Sequence, residues 1–401
     1  MIPIHHEASR NSSLFPLDLQ GPLIDGHVHF GDLGRIGDLE RYVDQLGLDQ
    51  LALLSLPLTG TSADRSDPAG RDPLVHWNPE VLGAKMYLER KLGKGNIHCF
   101  GCFDNRALIN PNFPEPWNPA YQVETLYGAG FSGIKMWEGK PELQAALGIN
   151  LDDPKLIDAY SRAGELGMPV LIHVADPVEF WNTRGVYGSP KGHIPAFEQL
   201  MEQTWALCRK ASGTRFIFPH LLFLAHDLPR LGKLLDEFPL VSVDLAPGNY
   251  FFTALGGIEN LNSHGGSQPR RAQEFFSAYS DRILFGTDSF FLPMDLPLLP
   301  GTSLGNNLER FIRLTHFLGT EDVGVSPYPG AGSAPLFRGL GLGKDVMNNI
   351  MGMNFGRVIP EKIEGKKDPR PYLDMFFSSI PESGKRKDEV FAIINLGYPK
   401  V

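Results

Sequence analysis

Two histidines near the N-terminus have the spacing of a metal-binding pair. His27 and His29 lie in the run IDGHVH at residues 24–29. In a strand, residues two apart point to the same face of the sheet, so the two imidazoles would project together and could bind one divalent cation. Because an H-x-H pattern is frequent by chance, the pair alone is also compatible with packed or surface histidines.

Residues of metal-ligating or charged types also end four other apolar runs of the chain. They are Lys135 in GIKMW, His173 in PVLIHVAD, His220 in FIFPHLLF and Asp288 in ILFGTDSF. A single histidine in an apolar run is usually a core residue satisfied by a hydrogen bond. A set of four histidines, a lysine and an aspartate is difficult to explain by packing, because buried charge is costly unless it is paired or bound to a metal. The set therefore favours a metal site.

Short apolar runs alternate with segments of helical spacing along most of the chain. The runs are rich in β-branched or aromatic residues, are bounded by Gly, Pro, Asp or Asn, and are read as strands. The predicted strands are residues 22–30, 50–56, 97–103, 132–137, 169–174, 215–223, 240–245 and 282–290. Parallel strands need a crossover connection, and eight strand–helix units favour closure into a barrel.

We therefore predict an α/β fold, a (β/α)8 TIM barrel with long loops and a C-terminal extension. Residues 21–360 would form the barrel, after an N-terminal arm at residues 1–20. Residues 291–344 would be a long excursion after the eighth strand, and residues 361–401 an extension packed on the outside, where a subunit contact could form. The ligand-type residues would lie at the carboxyl ends of the strands, which is the catalytic face of such barrels.

The composition restricts the partners of the protein. Of 401 residues, 42% are hydrophobic and 21% charged, and the formal net charge of −9 disfavours a nucleic-acid or acidic-membrane partner. The three cysteines do not form a disulfide framework, and we see neither a signal peptide nor an apolar run of membrane-spanning length. We expect a cytoplasmic protein that acts on a small molecule and that could be a homo-oligomer.

Several motifs together resemble the amidohydrolase superfamily of metal-dependent hydrolases, in particular its amidohydrolase-related branch, which also includes decarboxylases. The resemblance covers about residues 21–360. Its motifs are DGHVHF at 25–30, GIKMW at 133–137, LIHVADP at 171–177, the run from 219 to 246, ILFGTDS at 283–289 and NNIMGMNFGRVI at 348–359. Jointly they are specific for the superfamily and not for a substrate.

The resemblance implies one or two divalent ions, with zinc as the first choice. The implied ligands of the first ion are His27, His29, His173 and Asp288. His220 would bind a second metal or contact the reacting group. Lys135 would be carboxylated and bridge two ions, or it would form an ion pair with Asp288 or Asp244, or it would anchor a substrate carboxylate. Aromatic residues after strand ends would form the substrate wall, namely Trp137, Trp181 and Phe290.

Three functions follow from this set of residues. The first is a hydrolase in which metal-activated water attacks an amide, ester or lactone carbon, with Asp288 as the proton acceptor and the metal or His220 polarising the carbonyl. The alternative is a metal-dependent, non-oxidative decarboxylase of an unsaturated or aromatic acid. A further alternative is a catalytically inactive binding barrel, against which the full set of ligand-type residues argues.

Overall fold

The structure is a computed structural model in which most of the chain is described. The described residues are 19–58, 75–93, 95–109, 118–188, 194–247, 249–256, 268–293, 302–325, 336–359, 368–378 and 384–395. Residues 1–18 of the predicted N-terminal arm lie outside them, as do parts of the predicted excursion and extension. The division of the chain into arm, barrel and extension stays a prediction.

Two short antiparallel pairs, Pro57–Leu58 with Val75–His76 and Val323–Val325 with Leu336–Arg338, lie outside the main sheet. The other strands of the described chain form a closed barrel. Its segments are β1 (Ile24–Phe30), β2 (Gln50–Leu54), β3 (Ile97–Gly101), β4 (Gly133–Gly139), β5 (Val170–Val174), β6 (Phe216–Phe218), β7 (Val241–Asp244), β8 (Ile283–Leu284) and β9 (Ser289–Phe291). Each segment from β1 to β7 pairs in parallel with the next, and β9 pairs in parallel with β1. Because β8 and β9 are two parts of one strand, the ring closes with eight strands, and the predicted barrel is confirmed.

Helices cover the outside of the barrel and follow its strands. They are α1 (Ile36–Leu46), α2 (Asn78–Leu92), α3 (Arg106–Ile109), α4 (Pro119–Ala129), α5 (Pro141–Leu147), α6 (Pro154–Glu165), α7 (Phe197–Lys210), α8 (Leu228–Glu237), α9 (Asn249–Gly256), α10 (Gln268–Ala278), α11 (Leu304–Gly319), α12 (Lys344–Asn348), α13 (Phe355–Val358), α14 (Arg370–Ser378) and α15 (Gly384–Asn395). Helix α6 shows how the sequence sets a boundary: the Asp153 carboxylate accepts from the Lys155 amide, and Pro154 takes the first helical position. In the described chain, no helix is both long and apolar enough to cross a membrane.

The inside of the barrel is filled with an apolar cluster below the rim that the carboxyl ends of the strands form. This cluster joins residues from most strands to residues near the end of the barrel region: Ile24, Ala52, Leu54, Phe100, Leu171, Ile217, Leu284, Phe355, Val358 and Ile359. Phe355 is 3% exposed, so α13 closes the lower end of the barrel. The open end therefore remains as the place where polar side chains can gather.

Two predicted elements end differently from the sequence expectation. The sixth strand was expected to reach Phe223, but β6 ends at Phe218 and is followed by a turn at His220–Phe223 in which φ lies between +50° and +59°. The helix expected over 345–358 is interrupted by a π-helical turn at Asn349–Met353. The reason for the first difference is that four successive residues adopt the left-handed conformation, which an apolar pattern does not signal.

The described part of the C-terminal extension packs on the outside of the barrel. Helix α15 contacts α2, and α14 contacts α4. Arg386 forms an ion pair with the buried Glu80 and donates to the carbonyl oxygen of His76. The guanidinium also lies over the rings of Phe376 and Phe377, which joins the two helices of the extension. The extension thus holds the segment that leads into α2.

The role of Phe355 in closing the barrel can be tested by stability. Phe355→Ala should lower the free energy of unfolding by about 3–5 kcal/mol, because it removes a large buried side chain and leaves a cavity. The nearby Met353 is 46% exposed, so Met353→Ala should change the free energy of unfolding by less than about 0.5 kcal/mol. Urea unfolding followed by circular dichroism measures both values, and equal effects of the two substitutions would contradict this description of the core.

Candidate metal centre

Three ligand-type atoms converge at the open end of the barrel. The Nε2 atoms of His27 and His29 lie 3.2 Å apart, and the Asp288 Oδ1 atom is 3.3 Å from the first and 3.2 Å from the second. Both histidines are buried, with 1% and 2% of their surface exposed. In the described chain these three residues form a group that could hold a metal ion. The structure therefore brings together three of the four predicted ligands.

The group has the donor types and spacing of a zinc site. Neutral imidazole nitrogens and a carboxylate oxygen are zinc ligands, and tetrahedral ligands about 2.0–2.1 Å from the ion lie about 3.3–3.4 Å from one another. The three distances of 3.2–3.3 Å come close to this value. The residues present therefore fit a divalent metal ion.

Asp244 at the end of β7 fixes the orientation of His27. Its Oδ2 atom is 2.7 Å from His27 Nδ1, while its Oδ1 atom accepts hydrogen bonds from the amides of His220 and Ala246. Burial acts to raise the pKa of Asp244, but the neighbouring His27 and His220 keep it below its ordinary value. An ionised Asp244 accepts a hydrogen bond from the N–H group at His27 Nδ1, so the lone pair is on Nε2, which faces the other two ligand atoms.

Asp25 ties the first strand to the segment that carries Asp288. Its carboxylate accepts from the Tyr42 hydroxyl at 2.6 Å, from Thr287 Oγ1 at 2.7 Å and from the Thr287 amide at 3.1 Å. No sequence motif considered above indicates this role. The available signal was that Asp25 precedes His27 by two residues in an otherwise apolar strand, which places a third polar side chain on the same face.

Close approach of the first and last strands requires glycine. A Cβ atom on Gly286 would lie 2.6 Å from the Cβ of His27, and one on Gly26 would lie 2.8 Å from the carbonyl oxygen of Phe285. Such distances are too short for side-chain carbons. The glycines of the two motifs therefore let the ligand-bearing backbones lie side by side.

Asp288 is placed by an unusual backbone conformation. Its φ angle is +55°, in the left-handed region that residues other than glycine rarely adopt. Burial acts to raise its pKa, but the hydrogen bond with His29 and the nearby His27 and His220 hold it well below the ordinary value. Asp288 is therefore an ionised carboxylate at the mouth of the barrel.

His29 lies between aromatic side chains. Its ring stacks on Phe290 with centroids 5.0 Å apart and an interplanar angle of 16°, and Trp137 meets it edge-on at 6.5 Å. Burial lowers the pKa of His29 to about 3, so the ring is neutral and able to donate a lone pair. Its Nδ1 atom has no hydrogen-bond partner among the described residues.

His173, the fourth predicted ligand, lies next to the group and not in it. Its ring centroid is 5.1 Å from that of His220, and its Nε2 atom is 2.9 Å from the carbonyl oxygen of Ala175. Ala175 has a φ of +64°, which turns this carbonyl back toward the ring. The sequence placed His173 at the correct rim, whereas its role as a ligand stays a prediction.

His220 projects from the left-handed turn after β6. Its Nδ1 atom is 2.7 Å from the carbonyl oxygen of Ala246, and its ring centroid is 5.8 Å from that of His27. A proton on Nδ1 satisfies that carbonyl, which leaves Nε2 as the atom with a lone pair. His220 thus lies between His27 and His173, where it could bind a second ion or contact a substrate.

Lys135 is buried on the inside of β4. Only 1% of its surface is exposed, and burial lowers its pKa to about 8, although attraction to Asp244 and Asp288 opposes the shift. Among the described residues, no ion pair within 4.0 Å joins Lys135 to either carboxylate, so the contact ion pair considered from the sequence is not formed. An amine that loses its proton near neutral pH remains compatible with carboxylation, and an ammonium group there remains compatible with a carboxylate anchor.

Two residues of the predicted aromatic wall, Trp137 and Phe290, lie beside His29. They join an apolar cluster with Leu56, Trp77 and Leu292. Trp181 lies in a 3-10 turn and packs against Tyr187 and Phe197, and its indole donates to the carbonyl oxygen of Pro195. The role of the three residues as a substrate wall stays a prediction.

Comparison with known proteins gives the family. The sequence model of the family described as Amidohydrolase matches residues 103–352, more than half of the chain, and the protein belongs to this family. No curated protein matches the sequence. The matched range contains Lys135, His173, His220 and Asp288, whereas His27 and His29 precede it.

Several solved structures are similar to the chain at low sequence identity. A putative 2-pyrone-4,6-dicarboxylic acid hydrolase from Pseudomonas putida is 15% identical, with a TM-score of 0.47 over 86% of this chain and 100% of its own. Dihydroorotase from Campylobacter jejuni is 13% identical, with a TM-score of 0.47 over 86% of this chain and 84% of its own. A 5-carboxyvanillate decarboxylase from Sphingomonas paucimobilis is 12% identical, with a TM-score of 0.43 over 85% of this chain and 99% of its own.

The neutral state of His29 predicts a pH dependence of stability for the metal-free protein. Its pKa is about 3 in the folded protein and about 6.5 when unfolded, so the unfolded state binds more protons between these values. Stability should therefore fall as the pH is lowered through about 6.5. Between pH ~7 and ~5.5 the wild type should lose about 1 kcal/mol more than His29→Gln.

Urea unfolding at the two pH values measures this difference. The window lies above the range in which ordinary carboxylates titrate. His226→Gln is the matched control, because the His226 side chain is exposed. Identical pH dependence of the wild type and His29→Gln would show that His29 is not held neutral by burial.

Proposed function

We propose that the protein is a metal-dependent hydrolase that acts on an amide, ester or lactone carbon of a small molecule. The observation that carries the proposal is the convergence of His27, His29 and Asp288 within 3.3 Å of one another. The chemistry that a divalent ion, with zinc as the first choice, supplies when bound there is activation of water and polarisation of a carbonyl oxygen. His173 is the proposed fourth ligand, and Lys135 and His220 are the proposed ligands of any second ion.

Asp288 is the proposed proton acceptor. It is ionised, because neighbouring histidines hold its pKa well below the ordinary value. It therefore accepts a proton from the attacking water and passes it to the leaving group. The His220 ring lies 5.8 Å from that of His27, and His220 is proposed to polarise the carbonyl under attack. Asp244 keeps His27 in the tautomer whose Nε2 atom carries the lone pair.

The aromatic wall beside the candidate ligands indicates the general type of substrate. Trp137, Phe290 and their apolar neighbours would pack against an apolar or planar part of the molecule. The buried indole Nε1 atom of Trp137 has no hydrogen-bond partner among the described residues. It is therefore proposed to donate to an acceptor oxygen of the substrate.

A decarboxylase of an unsaturated or aromatic acid is the second candidate. The observation that favours it is Lys135, a cationic side chain buried in the barrel beside the candidate ligands. An ammonium group in this position could hold a substrate carboxylate, and the aromatic wall suits a planar acid. A catalytically inactive binding barrel is the third candidate, and the close approach of the three ligand-type atoms argues against it.

The proposal can be tested with a substrate panel. Protein loaded with Zn²⁺ would be assayed on lactones, esters, amides and aromatic acids, with detection of released acid and of carbon dioxide. His27→Ala and Asp288→Asn should each lower turnover by about 100-fold or more, since loss of even an outer partner of a metal ligand costs 10- to 100-fold. His226→Ala is the control, because this exposed residue lies outside the ligand group.

Each outcome of the panel decides between the candidates. Release of acid without carbon dioxide supports the hydrolase, whereas release of carbon dioxide supports the decarboxylase. If His27→Ala or Asp288→Asn retains near wild-type turnover, the assignment of the site is wrong. If the zinc-loaded protein is inactive on the whole panel and binds a panel compound unchanged, the binding barrel becomes the better description.

A further inference from the structure

Helix α11 carries an amide and a guanidinium side chain on its buried face. Asn307 and Arg310 are 0% and 1% exposed, and they lie three residues apart, so they share one face of the helix. Phe311, Leu314 and Leu318 are buried around them. Placing a guanidinium in such surroundings costs free energy unless it is hydrogen-bonded. An apolar residue would pack in either position without this cost, so the hydrogen bonds of the two side chains must account for their presence.

Both side chains form hydrogen bonds with the backbone of the last barrel strand, Asn307 at Phe290 and Arg310 at Asp288. The Asn307 amide oxygen accepts from the Phe290 amide at 3.3 Å, and its nitrogen donates to the Phe290 carbonyl oxygen at 2.9 Å. Arg310 donates from Nη1 to the carbonyl oxygen of Asp288. Its guanidinium also lies over the Phe290 ring, 5.7 Å from the centroid. The two residues thus form a clamp on the backbone of Asp288 and Phe290.

The clamp acts on two side chains of the candidate metal centre. Asp288 has a φ of +55°, and the hydrogen bond to its carbonyl oxygen helps to hold the backbone from which its carboxylate projects. Phe290 stacks on the ring of His29, so the position of its backbone influences that imidazole. Asp25 holds the preceding residue, Thr287, through its amide and hydroxyl. The backbone at Asp288 is therefore held by two elements. Asp25 of β1 bonds the residue before it, and Arg310 of α11 bonds its own carbonyl oxygen.

We propose that Asn307 and Arg310 are positioning residues that set the metal affinity of the site through Asp288 and His29. The proposal rests on the proposed metal-dependent function. Neither residue acts by touching the metal or the substrate. Partners behind metal ligands typically change metal affinity by 10- to 100-fold when they are replaced. The helix that follows the barrel's last strand would thereby take part in metal binding.

The test is a metal-affinity measurement on the full chain. The dissociation constant for Zn²⁺ would be measured by competition with a chromophoric chelator, and the visible spectrum of the Co²⁺-loaded protein would report ligand geometry. Arg310→Met should weaken Zn²⁺ binding by about 10- to 100-fold and alter the Co²⁺ spectrum. Arg310→Lys keeps the charge without the planar fork and should recover only part of the loss.

Arg313→Met is the matched control. Arg313 lies one turn further along α11 and bonds Glu309 on the same helix. Its replacement should leave the Zn²⁺ affinity within about threefold of the wild type, well below the 10- to 100-fold loss expected for Arg310→Met. Asn307→Asp is the second variant, since it keeps the acceptor for the Phe290 amide and loses the donor. If Arg310→Met does not fold, as judged by circular dichroism, Asn307→Asp and Arg310→Lys carry the comparison.

The outcomes separate this proposal from the proposed function. Weaker binding in Asn307 and Arg310 variants, with unchanged binding in Arg313→Met, supports the clamp. Wild-type affinity and an unchanged Co²⁺ spectrum in the folded variants would overturn it while leaving the metal site intact. An equal loss in Arg313→Met would also overturn it, because the effect would then belong to the helix in general. A wild-type protein that binds no Zn²⁺ would overturn both proposals.

Discussion

Three electron-rich atoms that face one another at 3.2–3.3 Å are the constraint on which the site depends. Two imidazole nitrogens and a carboxylate oxygen gain little from such proximity unless a cation or shared protons lie between them. Many neighbouring features serve this convergence. Asp244 orients one imidazole, Asp25 joins the two strands, and glycines at 26 and 286 allow the strands to approach.

The strained backbone of the protein is concentrated at the same end of the barrel. The described residues other than glycine with positive φ are Ala175, His220, Leu221, Leu222, Phe223 and Asp288. Each left-handed residue costs about 1–2 kcal/mol, so the surrounding structure must hold it in place. The closed ring of strands and the apolar cluster below it provide that support. The end of the barrel that carries the candidate metal centre is therefore strained, and the regular part of the barrel supports it.

The sequence predicted the barrel well because alternating strands and helices have strong periodic signals. It also predicted the rim residues, since a polar side chain at the end of an apolar strand is conspicuous. It did not predict where β6 ends, because the left-handed turn at His220–Phe223 has no signature in an apolar run. The bond from His173 to the Ala175 carbonyl depends likewise on a local φ of +64°.

The supporting residues of the site were harder to predict than the candidate ligands. Asn307 and Arg310 approach Asp288 from a helix in the long excursion after the last strand. Such contacts depend on how a helix packs, which sequence spacing alone does not determine. The ring contacts of Trp181 with Tyr187 and Phe197 could not be predicted for the same reason. Local patterns therefore identified the candidate ligands, and tertiary packing determined their neighbours.

Anomalous diffraction at the zinc absorption edge, from crystals of the protein grown with Zn²⁺, tests the central claim most directly. The account predicts a strong peak within bonding distance of His27 Nε2, His29 Nε2 and an Asp288 carboxylate oxygen. A map without a peak at this position, or with zinc bound only by other residues, would contradict it.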